Sequence, residues 1–250
     1  MKKVNLMDYL DEVTAFSLEH EEPAWMTELR TTALRNADES ELPHIDRVKF
    51  HRWPLLNVHM ESYVPSEGNV ASFDQMKDNP LIVQQGSFHA FEQLPASLAE
   101  QGVIFTDIFT ALQEHPELVK EYYMTKAVLP EEDKLTAAHA AFMNSGVFLY
   151  VPKNVVIEEP IESLFIQDSD SNQPFFKHVL IVADNHSEFS YLERFQSTGH
   201  HAEKASGNIV VEVIAKDGAK VKYSAVDQLG QTVTTYMNRR GYIMRDASVD

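Results

Sequence analysis

The chain has 250 residues, 44% of them hydrophobic and 10% aromatic, enough to bury a substantial core and too apolar for a disordered chain. It carries 38 acidic against 21 basic residues, a net charge of −17, so a phosphate backbone is repelled and nucleic acid is a poor partner. With no cysteine, disulfides, thiolate nucleophiles and cysteine-ligated zinc or iron–sulfur sites are excluded within this stretch.

The opening residues Met1-Lys2-Lys3-Val4-Asn5-Leu6-Met7-Asp8 are interrupted by acid before an apolar run can form, so they do not read as a secretory signal. No window approaches the roughly 18 apolar residues of a membrane span. The expectation is a soluble, cytoplasmic protein with no membrane partner. The charge is uneven: residues 1–140 hold 11 Lys/Arg against 24 Asp/Glu (−13), and residues 141–250 hold 10 against 14 (−4). Solubility accounts for this, and the acidic part is also a candidate receiver of partners or iron.

Residues 1–145 read as a mainly helical region with a few short strands. Leu6, Leu10, Val13 and Phe16 recur at helical spacing, and Pro23 opens a second helix carrying Trp25, Leu29 and Ala33. Between residues 38 and 100, Pro43, Pro54, Pro65, Pro80 and Pro95 punctuate short apolar pieces, with Val58, Met60, Leu81 and Val83 expected in short strands. Helical spacing returns with Ile108, Ala111 and Leu112, then Leu118, Val119 and Tyr122 behind a first-turn Pro116 and Glu117. Pro130-Glu131-Glu132-Asp133 opens a third piece bearing Leu135, Ala138 and Phe142, with Gly146 as its expected stop.

Residues 146–250 change texture to short Val/Ile/Phe/Tyr-rich segments, as strands prefer. Leu149–Asn154, Leu180–Asn185 and Glu212–Asp217 line up, with Val151, Val182 and Ile214 in equivalent positions, 31 and 32 residues apart. After each comes a polar turn and a second strand, at Val155–Ile157, Phe189–Leu192 and Val221–Tyr223. A repeat of that period suggests stacked units sharing one core. A β-helix satisfies it, since each rung covers the edge of the one before. A β-sandwich and a cupin-like barrel are the alternatives. The last residues, Tyr242–Asp250, read as strand and turn with no capping element, so the chain is expected to be the first part of a longer protein, truncated before the C-terminal rungs.

No dinucleotide-binding glycine pattern, Walker A loop, G-x-S-x-G elbow or H-E-x-x-H is present, and Pro23 breaks the imitation begun by His20-Glu21-Glu22. His200-His201-Ala202-Glu203 is the best histidine cluster. Adjacent histidines on a strand point to opposite faces, so it reads as an exposed loop. His178 and His186 read as surface or rung-edge positions, and Glu158-Glu159, with Glu162 beyond Pro160, as a solvated turn. Tyr122-Tyr123 and Phe175-Phe176 read as core or interface. No catalytic, cofactor-binding or metal-ligating residue is assigned.

Two blocks are more specific. Gly102-Val103-Ile104-Phe105-Thr106-Asp107 continues through His115-Pro116-Glu117-Leu118-Val119-Lys120. Asp133-Lys134-Leu135 runs through Ala140-Ala141-Phe142 to Gly146–Asn154, and then to Glu158-Glu159-Pro160-Ile161. Together they resemble the SufB/SufD family of iron–sulfur cluster assembly proteins. Pro23–Arg30 and Arg47–Trp53 are similar to the opening region of its SufD branch. The resemblance implies an N-terminal helical region, a right-handed parallel β-helix and a C-terminal helical domain. It also implies a non-catalytic scaffold that pairs with a SufB-like subunit and a SufC-like ABC ATPase, with the cluster as the complex's product and no cofactor resident in this chain. A second copy of the chain is a further candidate partner. The family's proposed cluster residues belong beyond Asp250, and none is carried onto this sequence. Two rivals come from other classes: a β-helix enzyme acting on carbohydrate through acidic turn residues, and a cupin-like metal-binding oxygenase built on the histidines.

Overall fold

The computed structural model describes residues 5–58, 60, 79–168, 173–198 and 204–250. Pro65 and the His200-His201-Ala202-Glu203 cluster lie outside them.

A 3-10 turn, Leu6–Tyr9, leads into α1 (Leu10–Glu19), and α2 (Ala24–Glu39) folds back on it. Leu6, Val13 and Phe16 are buried, as their spacing predicts. On α2 the buried stripe is Met26, Arg30, Ala33, Leu34 and Ala37, with Trp25 and Leu29 flanking it. A hydrophobic pattern cannot find Arg30, because that residue is made buriable by a partner elsewhere. Its Nε and Nη2 donate to Glu22 at 2.7 and 2.5 Å, and its Nη1 donates to the Ala141 carbonyl at 3.1 Å. This forked, charge-assisted pair joins the α1–α2 corner to a helix over a hundred residues away.

Val58 and Met60, expected in a strand, are irregular chain buried in the helical core. Leu81 and Val83 do lie in a strand, β1 (Leu81–Gln85), which forms an antiparallel hairpin with β2 (Phe88–Gln93). Then follow α3 (Ala96–Ala99), β3 (Ile104–Asp107), α4 (Ile108–Glu114), α5 (Pro116–Tyr122) and α6 (Lys134–Phe142). Asp107 caps α4 through the Phe109 and Thr110 amides, and Asp133 with Thr136 forms a capping box on α6. Gly146 does not stop α6, which ends at Phe142; the glycine lies inside β4 (Ser145–Val151). A Cβ there would stand 2.0 Å from the His178 carbonyl oxygen on the neighbouring strand, so its role is close backbone approach.

The remaining strands are β5 (Ile161–Asp168), β6 (Phe175–Ala183), β7 (Glu188–Thr198), β8 (Ala205–Ala215), β9 (Lys220–Gln228), β10 (Val233–Ile243) and β11 (Ser248–Val249). They alternate between two sheets, ordered β10-β8-β6-β4-β3 and β11-β9-β7-β5-β1-β2. Every pairing is parallel except β1–β2 and β3–β4. The chain thus coils as a β-solenoid of about three turns behind an N-terminal helical layer. Sandwiches and cupin barrels are built from antiparallel strands, so the pairing excludes both alternatives.

Val147 pairs with Val179, and Val179 with Val211, so both steps of the repeat are 32 residues. Val182 and Ile214 do pair, but Val151 pairs with Ala183 and Tyr150 with Val182. The equivalence of Val151 with Val182 is therefore off by one residue, a shift that would turn every side chain of β4 to the wrong face. It is off because these strands are apolar on both faces: Val179, Ile181 and Ala183 fill the space between the sheets, while Phe176, Leu180 and Val182 pack towards the helices. Val155–Ile157 is not a strand; Val156 makes one bridge to Glu188, and Glu158–Pro160 separate it from β5. Proline has no amide to give the ladder there.

Each corner leaving the helix-side sheet places one residue in the left-handed region: Asn154, His186, Gly218 and Asp246. Backbone bonds tie successive corners, with Asn154 N donating to Asn185 O (3.0 Å), His186 N to Asp217 O (3.0 Å) and Gly218 N to Arg245 O (2.9 Å).

Candidate functional site

Two polar networks run through this apolar stack, one on each face of β6. On the helix side, His178 meets His139 from the last turn of α6 and Glu212 from β8, and His139 in turn meets Asn208 from β8. All four side chains are buried. Asn208 Nδ2 donates to the Leu135 carbonyl at 2.9 Å, which leaves its Oδ1 to accept from His139 Nδ1 at 3.1 Å. That assignment makes His139 Nε2 the acceptor for His178 Nδ1–H at 3.0 Å. His178 Nε2 then faces Glu212 Oε2 at 3.2 Å, an ion-pair contact without hydrogen-bond alignment. Glu212 also accepts from the Met124 amide at 2.8 Å and the Val128 amide at 3.0 Å. Tyr123 lies over His178 with ring centroids 4.2 Å apart. Burial first, and the neighbouring His178 second, hold His139 well below the ordinary histidine range. Chemically the relay straps the segment after α5, and α6 itself, onto the solenoid.

On the other face of β6, Lys177 points between the sheets. Its Nζ donates to Gln84 Oε1 (2.9 Å), Ser145 Oγ (2.9 Å) and the Gly86 carbonyl (3.2 Å), and lies 4.7 Å from the Phe165 ring centroid. Among the described residues no carboxylate touches it, and burial lowers its pKa from 10.5 to about 7. Further along the same interior, Tyr191 donates to Ser163 Oγ at 2.8 Å, and Glu193 is paired with Arg239 at 2.7 Å. Arg239 Nε also reaches the Tyr223 hydroxyl at 3.1 Å. Burial pushes the Glu193 carboxyl above its usual range while Arg239 pulls it back, and its Oε2 has no partner among the described residues.

His178, read from sequence as a surface or rung-edge residue, is therefore fully enclosed, because α6 covers that face of β6. His186 is exposed at a corner, as expected. Glu158 and Glu159 lie in the solvated turn before β5, and Glu162 stands 3.8 Å from Arg194. His20 stacks on Phe16 at 3.9 Å, and Glu22 is committed to Arg30. Tyr122 and Tyr123 are core, Phe176 faces the helices and Phe175 faces the interior. Lys177, Glu193 and Glu212 escaped the sequence reading as ordinary strand charges. The available signal was parity: Lys177 alternates with Phe175 and Val179, and Glu193 with Tyr191 and Phe195, so each occupies an inward position.

The architecture is that of a parallel β-solenoid whose first turns are overlaid by a helical layer. Residues 3–162 match the family model described as the SufBD protein N-terminal region, and residues 165–250 match the SUF system FeS cluster assembly, SufBD core domain. The chain belongs to the SufBD family. It is 41% identical over 247 residues to the iron–sulfur cluster assembly protein SufD of Bacillus subtilis, covering 94% of this chain and 56% of that protein. An iron–sulfur cluster assembly SufBD family protein of Staphylococcus epidermidis is 28% identical over 95% of this chain and 54% of its own length. One of Staphylococcus haemolyticus is 27% identical over 92% and 52%. The chain spans about half the length of these curated relatives. Among the described residues, no helix is long and apolar enough to cross a membrane.

Proposed function

We propose that the chain acts as a SufD-like scaffold subunit of an iron–sulfur cluster assembly complex in the cytoplasm, beside a SufB-like subunit and a SufC-like ABC ATPase. The observation that carries this reading is the 41% identity to the Bacillus subtilis SufD, spread over 94% of the chain rather than confined to one motif. The way the polar groups are spent supports a scaffold rather than an enzyme. His139, His178 and Glu212 are sealed under α6, and Lys177 and Glu193 are sealed between the sheets, where they join elements. In this reading the cluster is cargo of the complex and the chain keeps no resident cofactor.

Complementation tests it. The gene encoding this chain, expressed in Bacillus subtilis depleted of its own SufD, is expected to restore growth and iron–sulfur enzyme activities. Soluble expression without rescue would contradict the reading.

A further inference from the structure

Where the solenoid begins, a β-bulge brings two side chains of metal-ligating type, three residues apart, beside a third from another strand. Along β1 and β2, Val83 pairs with Phe91 but Gln84 pairs with His89, so Ala90 is the extra, unopposed residue. In a regular strand, residues three apart point to opposite faces. The bulge cancels that, bringing His89 and Glu92 to one face, opposite Gln84 and Ile82 respectively. Ile82 belongs to the core between the sheets and Gln84 reaches Lys177 there, so this face lies on the inner side at the open end of the stack, where His89 is half-buried and Glu92 exposed. The third residue, Asp107, ends β3, an edge strand of the opposite sheet.

One ligand atom from each of His89, Glu92 and Asp107 lies within 4.8 Å of the others, and His89 Nε2 is 3.4 Å from Glu92 Oε2. Two ligands each about 2.1 Å from a tetrahedrally coordinated ion stand at a comparable separation. The carboxylates keep capacity for an ion. Asp107 Oδ1 accepts the Phe109 and Thr110 amides, but among the described residues Oδ2 accepts only the Thr110 hydroxyl, leaving a lone pair. Glu92 Oε2 is steadied by the Thr106 hydroxyl at 2.9 Å, the kind of outer contact that orients a ligand.

We propose that His89, Glu92 and Asp107 form a binding site for one divalent transition-metal ion, closing the first end of the solenoid by clipping β2 of one sheet to β3 of the other. One imidazole nitrogen with two carboxylates suits ions of the Mn, Fe, Co and Zn series rather than magnesium or calcium, which take all-oxygen shells. Three protein ligands leave at least one coordination position open, so the ion is exchangeable rather than a sealed structural centre. The site holds whether or not the chain acts as a SufD-like scaffold.

The test is a titration of the purified, tag-free, chelator-stripped protein with cobalt(II), followed by visible absorption and by competition with zinc(II). One equivalent of cobalt is expected to bind and be displaced by zinc. His89→Ala and Glu92→Gln are expected to abolish the spectrum. Thr106→Val, which removes only the outer contact, is expected to weaken binding by roughly 10–100-fold. Asp107→Asn keeps a side chain able to cap α4 and so isolates the ligand role; it should bind cobalt more weakly with an unchanged far-ultraviolet circular dichroism spectrum. His200→Ala/His201→Ala should bind as wild type. Absence of a cobalt spectrum in the wild type, an unaltered titration in His89→Ala, or loss of binding only in the His200/His201 variant would each overturn the proposal.

Discussion

His178 Nε2 lies 3.2 Å from Glu212 Oε2, and neither side chain has any exposed surface. Glu212 is at the same time the acceptor for two backbone amides, those of Met124 and Val128. One carboxylate therefore both balances the histidine relay and ties the chain after α5 to β8. Replacing it with the isosteric amide removes the charge and turns an NH2 group toward donors. Glu212→Gln is expected to lower stability by about 3 kcal/mol, as when one member of a buried pair is lost. Urea unfolding followed by tyrosine and tryptophan fluorescence measures it; a midpoint equal to wild type would contradict the role given to Glu212.

Lys177 predicts a specific pH dependence. Its ammonium has an ordinary pKa of 10.5 in the unfolded chain and about 7 in the folded protein. Between those values the unfolded chain binds the extra proton, so this residue makes stability rise with pH, and its penalty is full below about pH 7. Lys177→Met removes the titration. The stability difference between wild type and variant should change by about 1.4 kcal/mol per pH unit from pH 7.5 to 9.5, in favour of wild type as pH rises. Parallel stability curves for the two proteins would show that Lys177 keeps its charge in the fold.

Gly218 stands at a left-handed corner (φ +69°), and a Cβ there would lie 2.2 Å from His186 Nδ1 on the preceding rung. Gly218→Ala is expected to destabilise by about 1–3 kcal/mol through backbone strain and this clash. His186→Ala, exposed and harmless alone, should recover part of that loss in the double variant, because only the steric share is relieved. Equal losses in single and double variants would mean that the clash with the His186 ring contributes nothing.

The stack itself was legible because its signal is redundant. A one-residue error at Val151 leaves the repeat visible through Val182 and Ile214, which do pair. The helices at Val13, Phe16, Val119 and Leu135 were legible because an amphipathic stripe is a local property. What could not be read was long-range compensation. Arg30 looks like a surface residue until Glu22 and the Ala141 carbonyl are placed around it. His178 looks like a strand-end histidine until α6 arrives with His139. The three residues at the mouth of the solenoid were invisible for a different reason: Ala90 carries no sequence mark of a bulge, and strict alternation separates His89 from Glu92. Asn154, His186, Gly218 and Asp246 are all residue types that tolerate the left-handed region, but that they form one stacked column of corners shows only in the fold.

The scaffold reading stands most directly on association. The gene encoding this chain, co-expressed with the SufB-type and SufC-type genes of the same organism, should yield a protein that co-elutes with both through size-exclusion chromatography. Co-elution of all three is the result predicted here. A chain that elutes alone, folded and free of both partners, would contradict the account and leave the SufBD relationship as one of fold without shared function.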